Sequence, residues 1–335
     1  MKRKIHYTQY TNSAVCISLA LEISREARGH KTKRRNLCPY FVSVIIMIAI
    51  SISYYKASHR SNVVDGFDHQ QSSNERVLVV YVYINDHSLS KSNLEYFIYQ
   101  AVSKSSHAAY YIILQQSNNT TINETDLPSL PSYAHYIQHE DRCYYLGTIG
   151  WFLASPRINI KDYQYFIFLN SYARGPYLVV YYEYTQWYQA FTKRLNKRIK
   201  LIGATVNCEP TIHVESYFWV MDEQGLSILW KHGKTFACSR SELDSIYFQE
   251  IPASQVIFKA GFGINVLMKK YHGIDFRQMK NAKCPDRGNS SLDDEVFSDP
   301  FETIFIKFQN NTESMNYLQS RVLAYDKWAS NFSSI

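Results

Sequence analysis

Residues 163–177 read YQYFIFLNSYARGPY. Five apolar or aromatic side chains, Tyr165 to Leu169, follow one another without interruption. The run then stops at Asn170-Ser171 and passes through Arg174 into Gly175-Pro176. An unbroken apolar run of strand length is the pattern of a strand covered on both faces. Polar residues gathered at its carboxyl end are what an open α/β sheet presents where ligands lie. Arg174 is a planar, bidentate donor of the kind that suits a diphosphate. Gly175 permits close backbone approach and Pro176 fixes the exit of the chain. A polar turn with a capping serine and a solvated arginine is the plainer alternative.

Working outward, RVLVVYVYIND (76–86) and AAYYIILQQS (108–117) are two more buried strands. Between them SKSNLEYFIYQAV (90–102) places Leu94, Phe97, Ile98 and Ala101 at helical spacing. HYIQH (135–139) reads as a short strand, LGTIGWFLAS (146–155) and YYEYTQWYQAFTKRL (181–195) as helices, and KLIGATVN (200–207) as a strand. This alternation predicts an α/β fold: a mostly parallel, Rossmann-like sheet flanked by helices. Further on, VESYFWVMD (214–222) predicts a strand and EQGLSILWKHG (223–233) a helix. SELDSIYFQEI (241–251) predicts a helix capped by Ser241. ASQVIFKAGFGINVLMKKY (253–271) is a helix or bent strand-helix, and DPFETIFIKF (299–308) a late apolar segment. No linker divides this part, so residues 76–335 are expected to form one domain.

The net charge of +7 is confined to the amino-terminal tail. Residues 1–36 hold nine Lys or Arg against Glu22 and Glu26, and nine minus two is the whole surplus. The remainder is balanced, so a basic nucleic-acid-binding face is not indicated. Residues 37–55, LCPYFVSVIIMIAISISYY, carry no charge and span roughly 28 Å as a helix. Lys31, Lys33, Arg34 and Arg35 immediately before them predict a single-pass signal anchor with a cytosolic amino terminus. Residues 56–75 are then a short stem, and everything beyond lies in the lumen of the Golgi or ER. All six glycosylation sequons (Asn118, Asn119, Asn123, Asn289, Asn310, Asn331) follow the apolar run. So do Cys143, Cys208, Cys238 and Cys284, enough for two disulfides in any of three connectivities.

Other strand ends offer chemistry. Asn85-Asp86-His87 is the polar tip of the first strand, and Asn207 and Glu209 close another. HVESYFWVMD brings His213, Glu215 and Trp219 together with Asp222, an aromatic among acids as saccharides favour; Trp219 in an apolar strand is equally a core residue. Asp222 and Glu250 are candidate general bases, since an acceptor hydroxyl needs one carboxylate within reach. No nucleophile elbow, P-loop, G-x-G-x-x-G or Cys/His zinc spacing occurs.

Taken together, YVYINDHSLSKSNLEYFIYQAV (81–102), RCYYLGTIGWFL (142–153), the 163–177 stretch and KLIGATVNCEPTIHVESYFWVMDEQGLSIL (200–229), with DPFETIFIKF more weakly, cover most of residues 76–308. They resemble glycosyltransferase-like proteins of the GT-A type, related in pattern to rhamnan-synthesis-type transferases. The resemblance implies a nucleotide-sugar donor and a glycan or glycoprotein acceptor. With it, Asn85, Asp86, Gly147, Asn170, Ser171 and Arg174 are expected at the donor, and the aromatic-among-acids reading sets His213, Glu215 and Trp219 at the acceptor. Many GT-A enzymes carry an Asp-x-Asp metal motif where this chain has Asn170-Ser171, and no acid follows until Glu183. A Mn²⁺ or Mg²⁺ requirement is therefore left open, with His139-Glu140-Asp141 a weaker alternative contact. A catalytically inactive glycan- or nucleotide-binding membrane protein of the same fold, and a tethered structural protein, are the competing expectations.

Overall fold

The computed structural model describes residues 75–105, 107–116, 122–140, 143–179, 186–279, 299–308 and 314–330, all within the unit Ser72–Ile335. The basic tail, the expected 37–55 anchor and the expected stem up to residue 74 lie outside the described residues. Among the described residues no helix is long and apolar enough to cross a membrane.

The strands are β1 (Val77–Ile84), β2 (Ala108–Gln115), β3 (Ala134–His139), β4 (Tyr165–Asn170), β5 (Ala173–Arg174), β6 (Ile199–Gly203), β7 (Val206–Asn207), β8 (His213–Val214), β9 (Phe218–Asp222), β10 (Gly263–Val266) and β11 (Ile306–Lys307). The helices are α1 (Ser90–Gln100), α2 (Tyr145–Ala154), α3 (Gln189–Thr192), α4 (Glu223–His232), α5 (Glu242–Ser245), α6 (Ile251–Lys259), α7 (Pro300–Thr303) and α8 (Ser314–Ser330). Seven strands form one sheet in the order β10-β6-β9-β4-β1-β2-β3. Its neighbours are parallel except at β9, which runs antiparallel to both β4 and β6. The fold is thus mixed α/β with a mostly parallel sheet flanked by helices.

Side-chain alternation explains why the central strands carry no polar face. Leu78, Val80 and Val82 of β1 enter one core with α2 and α4, while Val77, Val79, Tyr81 and Tyr83 enter the other with α1 and Phe305. Each such fully buried side chain contributes roughly 1.5–3 kcal/mol. A third cluster seats Leu318, Val322 and Tyr325 of α8 on Tyr177, Ile306 and Phe308.

Several expected elements divide. The 214–222 run gives Val214 to a small β7–β8 ribbon and only residues from Phe218 to the sheet. The 241–251 helix begins under a Ser241 cap, whose hydroxyl accepts the Asp244 N–H at 3.4 Å. It then widens into a π-helical turn at Ile246–Glu250 before α6. The 253–271 segment breaks at Gly261, whose φ of +88° ends the helix ahead of β10. Of the 181–195 helix, the described residues retain α3.

Gly175 also departs from its expected use. Its φ is +151°, and a Cβ there would meet the Ile304 carbonyl oxygen at 2.4 Å and the Phe305 ring at 2.7 Å. The close approach is made by the chain itself, where β5 pairs with β11. Gly175→Ala combines backbone strain with overpacking and is expected to destabilise by about 2–4 kcal/mol. Urea unfolding measures this; a change under about 1 kcal/mol would contradict the packing described.

Candidate functional site

The chain reverses its order across the sheet between β1 and β4, because β2 lies on the far side of β1. That is where an α/β sheet opens a crevice beyond its carboxyl ends. A cavity of ≈ 310 Å³ lies there. Ile84, Asp86 and His87 come from the β1 tip, and Asn170 and Tyr172 from the β4 tip. Tyr144 and Tyr145 line it from the start of α2. Glu215, Ser216 and Tyr217 approach from the loop before β9. Glu242, Ser245, Ile246 and Glu250 form a helical wall, and Lys307 arrives from β11.

The β4 tip serves two purposes. Asn170 faces the cavity while its Oδ1 accepts the Tyr172 N–H at 3.0 Å, which shapes the turn. Ser171 is buried and structural. Its Oγ accepts the Ile84 N–H at 2.7 Å, and its carbonyl accepts from Asn93 Nδ2 at 2.8 Å. The same Asn93 amide donates to the Phe308 carbonyl at 2.8 Å, so one buried side chain fastens α1 to both segments. Arg174 turns toward α1, donating to the Ser92 carbonyl at 3.1 Å. Its guanidinium lies 4.4 Å from the Tyr96 ring centre and 5.4 Å from that of Phe308. It does not line the cavity, and its packing role follows from cation–π contact in a desolvated place.

Other expected site residues are likewise redistributed. Asp222 lies at the opposite end of the sheet, because β9 is antiparallel and pairs Asp222 with Tyr165, the first residue of β4. There it caps α4 by accepting the Gly225 N–H at 2.8 Å and meets Lys200 Nζ at 2.6 Å. Trp219 is fully buried in mid-sheet opposite Phe168, its indole donating to the Val214 carbonyl at 3.1 Å. Gly147 packs against Ala237 and Cys238, where a Cβ would approach within 3 Å. Asn85 is exposed and outside the cavity lining. Asp86, Asn170, Glu215 and Glu250 are brought together in it.

Two carboxylates are firmly held. Glu215, 4% exposed, accepts the Thr205 hydroxyl at 2.5 Å and pairs with Lys307 Nζ at 3.3 Å. Glu250 accepts the Ser216 N–H at 2.9 Å, with the Tyr145 hydroxyl at 3.5 Å. His213 lies behind it, Nε2 3.6 Å from Glu250 Oε1. Its Nδ1 sits 2.7 Å from the Thr211 carbonyl and so bears the proton of the neutral ring. At the β1 tip, Asp86 accepts from Tyr172 at 2.8 Å, and the His87 ring stacks on Tyr172 at 4.9 Å. Burial, reinforced by Asp86, pushes the Tyr172 hydroxyl well above the ordinary phenol range, keeping it a donor.

Burial pulls the His213 imidazole below the ordinary histidine range; the Thr211 carbonyl opposes this and the Lys307 ammonium reinforces it. The folded chain thus refuses a proton that the unfolded chain takes up below about pH 6.5. Stability is complete above that pH and lost as pH falls through and below it, by at most about 1.4 kcal/mol per pH unit per group. His213→Gln is expected to flatten this acid limb. Urea midpoints at pH 7.5 and 5.5 measure it, and an unchanged pH dependence would exclude His213 as a contributor.

Sequence reasoning missed Tyr144, Tyr145, Tyr172, Ser216, Tyr217, Glu242 and Lys307. Lys307 stands 92 residues from Glu215, and only the β5–β11 pairing brings it in. The turn where many GT-A enzymes carry Asp-x-Asp lacks that carboxylate pair, as the sequence shows. Asn170 and Tyr172 occupy the turn, and among the described residues no three His, Cys, Asp or Glu side chains group as a metal site requires. Of the four cysteines that follow the apolar run, Cys143 bonds Cys238, and Cys208 is also disulfide-bonded.

No protein-family model matches the chain, and no curated protein matches it. Among solved structures it is similar to a glycosyltransferase involved in the glycosylation of the major capsid of PBCV-1. That likeness has a TM-score of 0.32 and 8% sequence identity, over 58% of this chain and 82% of the other.

Proposed function

We propose that the luminal domain is a glycosyltransferase that takes a sugar from a nucleotide-sugar donor to a glycan or glycoprotein acceptor. The observation that carries this reading is the cavity at the β1/β4 reversal, walled by tyrosines and carboxylates. Aromatic faces and carboxylate acceptors are the chemistry that holds a saccharide. The resemblance of residues 76–308 to GT-A-type proteins supports the same class, and a mostly parallel seven-stranded sheet agrees with it. Disulfide-bonded Cys143, Cys208 and Cys238 suit an oxidising lumen. The 37–55 anchor would hold the domain in a Golgi or ER membrane.

In this reading Glu250 removes the proton of the acceptor hydroxyl as that oxygen bonds to the sugar carbon. The bond from that carbon to the diphosphate oxygen breaks, and the diphosphate leaves with the electron pair. His213 Nε2, whose lone pair faces Glu250 Oε1 at 3.6 Å, is placed to accept from the carboxyl once Glu250 has taken up the acceptor's proton, while the Ser216 N–H holds the base in position. Lys307 supplies positive charge beside the leaving group. Asn170 and Tyr172 line the floor.

A second reading, an inactive nucleotide- or glycan-binding protein of this fold, is favoured by Asn170 and Tyr172 standing where carboxylates would hold a metal. Purified full-length chain incubated with UDP- and GDP-sugars separates the two. Thermal shift with UDP or GDP, with and without Mn²⁺, reports binding; sugar release reports catalysis. Binding with complete inertness would favour the second reading, and neither binding nor release would overturn both.

A further inference from the structure

Two residues that line the cavity each carry a buried polar atom with no hydrogen-bond partner among the described residues: Ser245 Oγ and His87 Nε2. Ser245 is 3% exposed. A buried donor left unanswered carries the full desolvation penalty of the group, so native chains retain such atoms sparingly. His87 Nδ1 accepts the Leu89 N–H at 3.3 Å, so the neutral ring bears its proton on Nε2. Burial holds this imidazole below the ordinary range, opposed by the Asp86 carboxylate and by the contact of the ring with the Ser171 backbone. The nearest carboxylate oxygen, Asp86 Oδ1, is 3.9 Å from Nε2, beyond hydrogen-bond reach.

The cavity therefore offers an N–H donor at His87, a hydroxyl of either sense at Ser245, and carboxylate acceptors at Glu242 and Glu250. A fully ionised phosphate accepts but does not donate, and against this wall would face Glu242 and Glu250; the cation that answers a diphosphate, Lys307, stands apart from it beside Glu215. An ammonium ligand would leave the His87 N–H unanswered, and an apolar one would leave both. A ring bearing several hydroxyls donates and accepts at each of them. The ≈ 310 Å³ volume lies at the low end of ligand sites, about 300–1,000 Å³, and so suits one ring rather than a whole nucleotide-sugar.

We propose that this cavity is the sugar-ring compartment of the site, with His87 Nε2–H donating to one hydroxyl and Ser245 Oγ bonding another, so that these two side chains select the sugar. The proposal deepens the glycosyltransferase reading and rests on it for the donor's identity. The test is calorimetric titration of the full-length protein with UDP, GDP, UDP-glucose, UDP-galactose, GDP-mannose and the three free sugars. Ser245→Ala and His87→Phe, which keeps the stack on Tyr172, are the variants. Each is expected to bind the nucleoside diphosphate within twofold of wild type and the sugar-bearing ligand about 5–10-fold more weakly. Ser245→Ala, relieved of an unanswered hydroxyl, is also expected to melt about 2–4 °C higher without ligand. A merely structural serine would not give that combination, and Ser245→Ala carries the test alone if His87→Phe fails to fold. Unchanged nucleotide-sugar affinity in the variants would overturn the compartment and leave the transferase reading standing. Free-sugar binding weakened by the variants, without any nucleotide binding, would uphold the compartment and overturn the transferase reading. Equal loss of UDP or GDP affinity, or no saccharide binding in any form, would overturn the proposal.

Discussion

Glu250→Gln is expected to slow sugar transfer by roughly 10²–10⁴-fold, the range that general base catalysis supplies. The substitution preserves shape and leaves an amide oxygen to accept the Ser216 N–H, so folding and nucleotide affinity should hold near wild type. What disappears is the capacity to take a proton. Two other carboxylates of the cavity, Glu215 and Asp86, are poorer candidates for physical reasons. Glu215 is committed to the Thr205 hydroxyl and the Lys307 ammonium, and only 4% of it is exposed. Asp86 already accepts from Tyr172 and, at 3.3 Å, from Ser90. Glu250 alone among these three has an imidazole lone pair behind it. Glu215→Gln should therefore disturb stability more than turnover, whereas Glu250→Gln should lower kcat with KM and melting temperature nearly unchanged. Turnover of Glu250→Gln above a tenth of wild type would remove Glu250 from the mechanism.

The sheet was readable because its strands are buried on both faces, and β1 and β4 announce that with runs such as VLVVYVY and YFIFL. Strand direction was not readable. An apolar run looks the same from either end, so Asp222 seemed to belong to the same rim as Asn170, when antiparallel pairing carries it to the far one. The β4 tip reads as a polar corner in the sequence, but its three groups have different employers. Asn170 faces the cavity, Ser171 clamps β1, and Arg174 is drawn under Tyr96, a choice that no spacing in the chain encodes. Lys307 and Glu242 enter from segments distant in sequence, so their part becomes visible only with the topology. The same topology makes an orphaned hydroxyl at Ser245 meaningful, since a serine near a helix start ordinarily suggests nothing beyond capping.

Removing the Cys143–Cys238 disulfide by the double substitution to serine is expected to cost about 3–5 kcal/mol of stability. The bridge spans a sequence separation of 95, and closing a loop near 100 residues lowers the unfolded-chain entropy by about 4.7 kcal/mol equivalent in the chain-entropy account. Its location raises the consequence for the site. The Cys143 carbonyl accepts from Thr148 Oγ1 at 3.1 Å and from Gln115 Nε2, tying the start of α2 to the end of β2. One residue on, the Tyr144 N–H donates to the Ser239 carbonyl at 2.8 Å, and Gly147 lies flush against Ala237 and Cys238. The bridge thus joins the tyrosines at the head of α2 to the segment that leads into the 242–250 wall, two sides of one cavity. Thermal unfolding should show a melting temperature lower by about 10 °C, at roughly 2–4 °C per kcal/mol for a domain of this size. Ligand affinity should fall as well, because walls that must be ordered at binding subtract from it. The double mutant is the sharper test than a reductant, since Cys208 is disulfide-bonded too and would be reduced with it. A loss below about 1 kcal/mol would mean that packing around Gly147 and the Gln115–Thr148 hydrogen bonds, rather than the cross-link, fixes the mouth of the cavity.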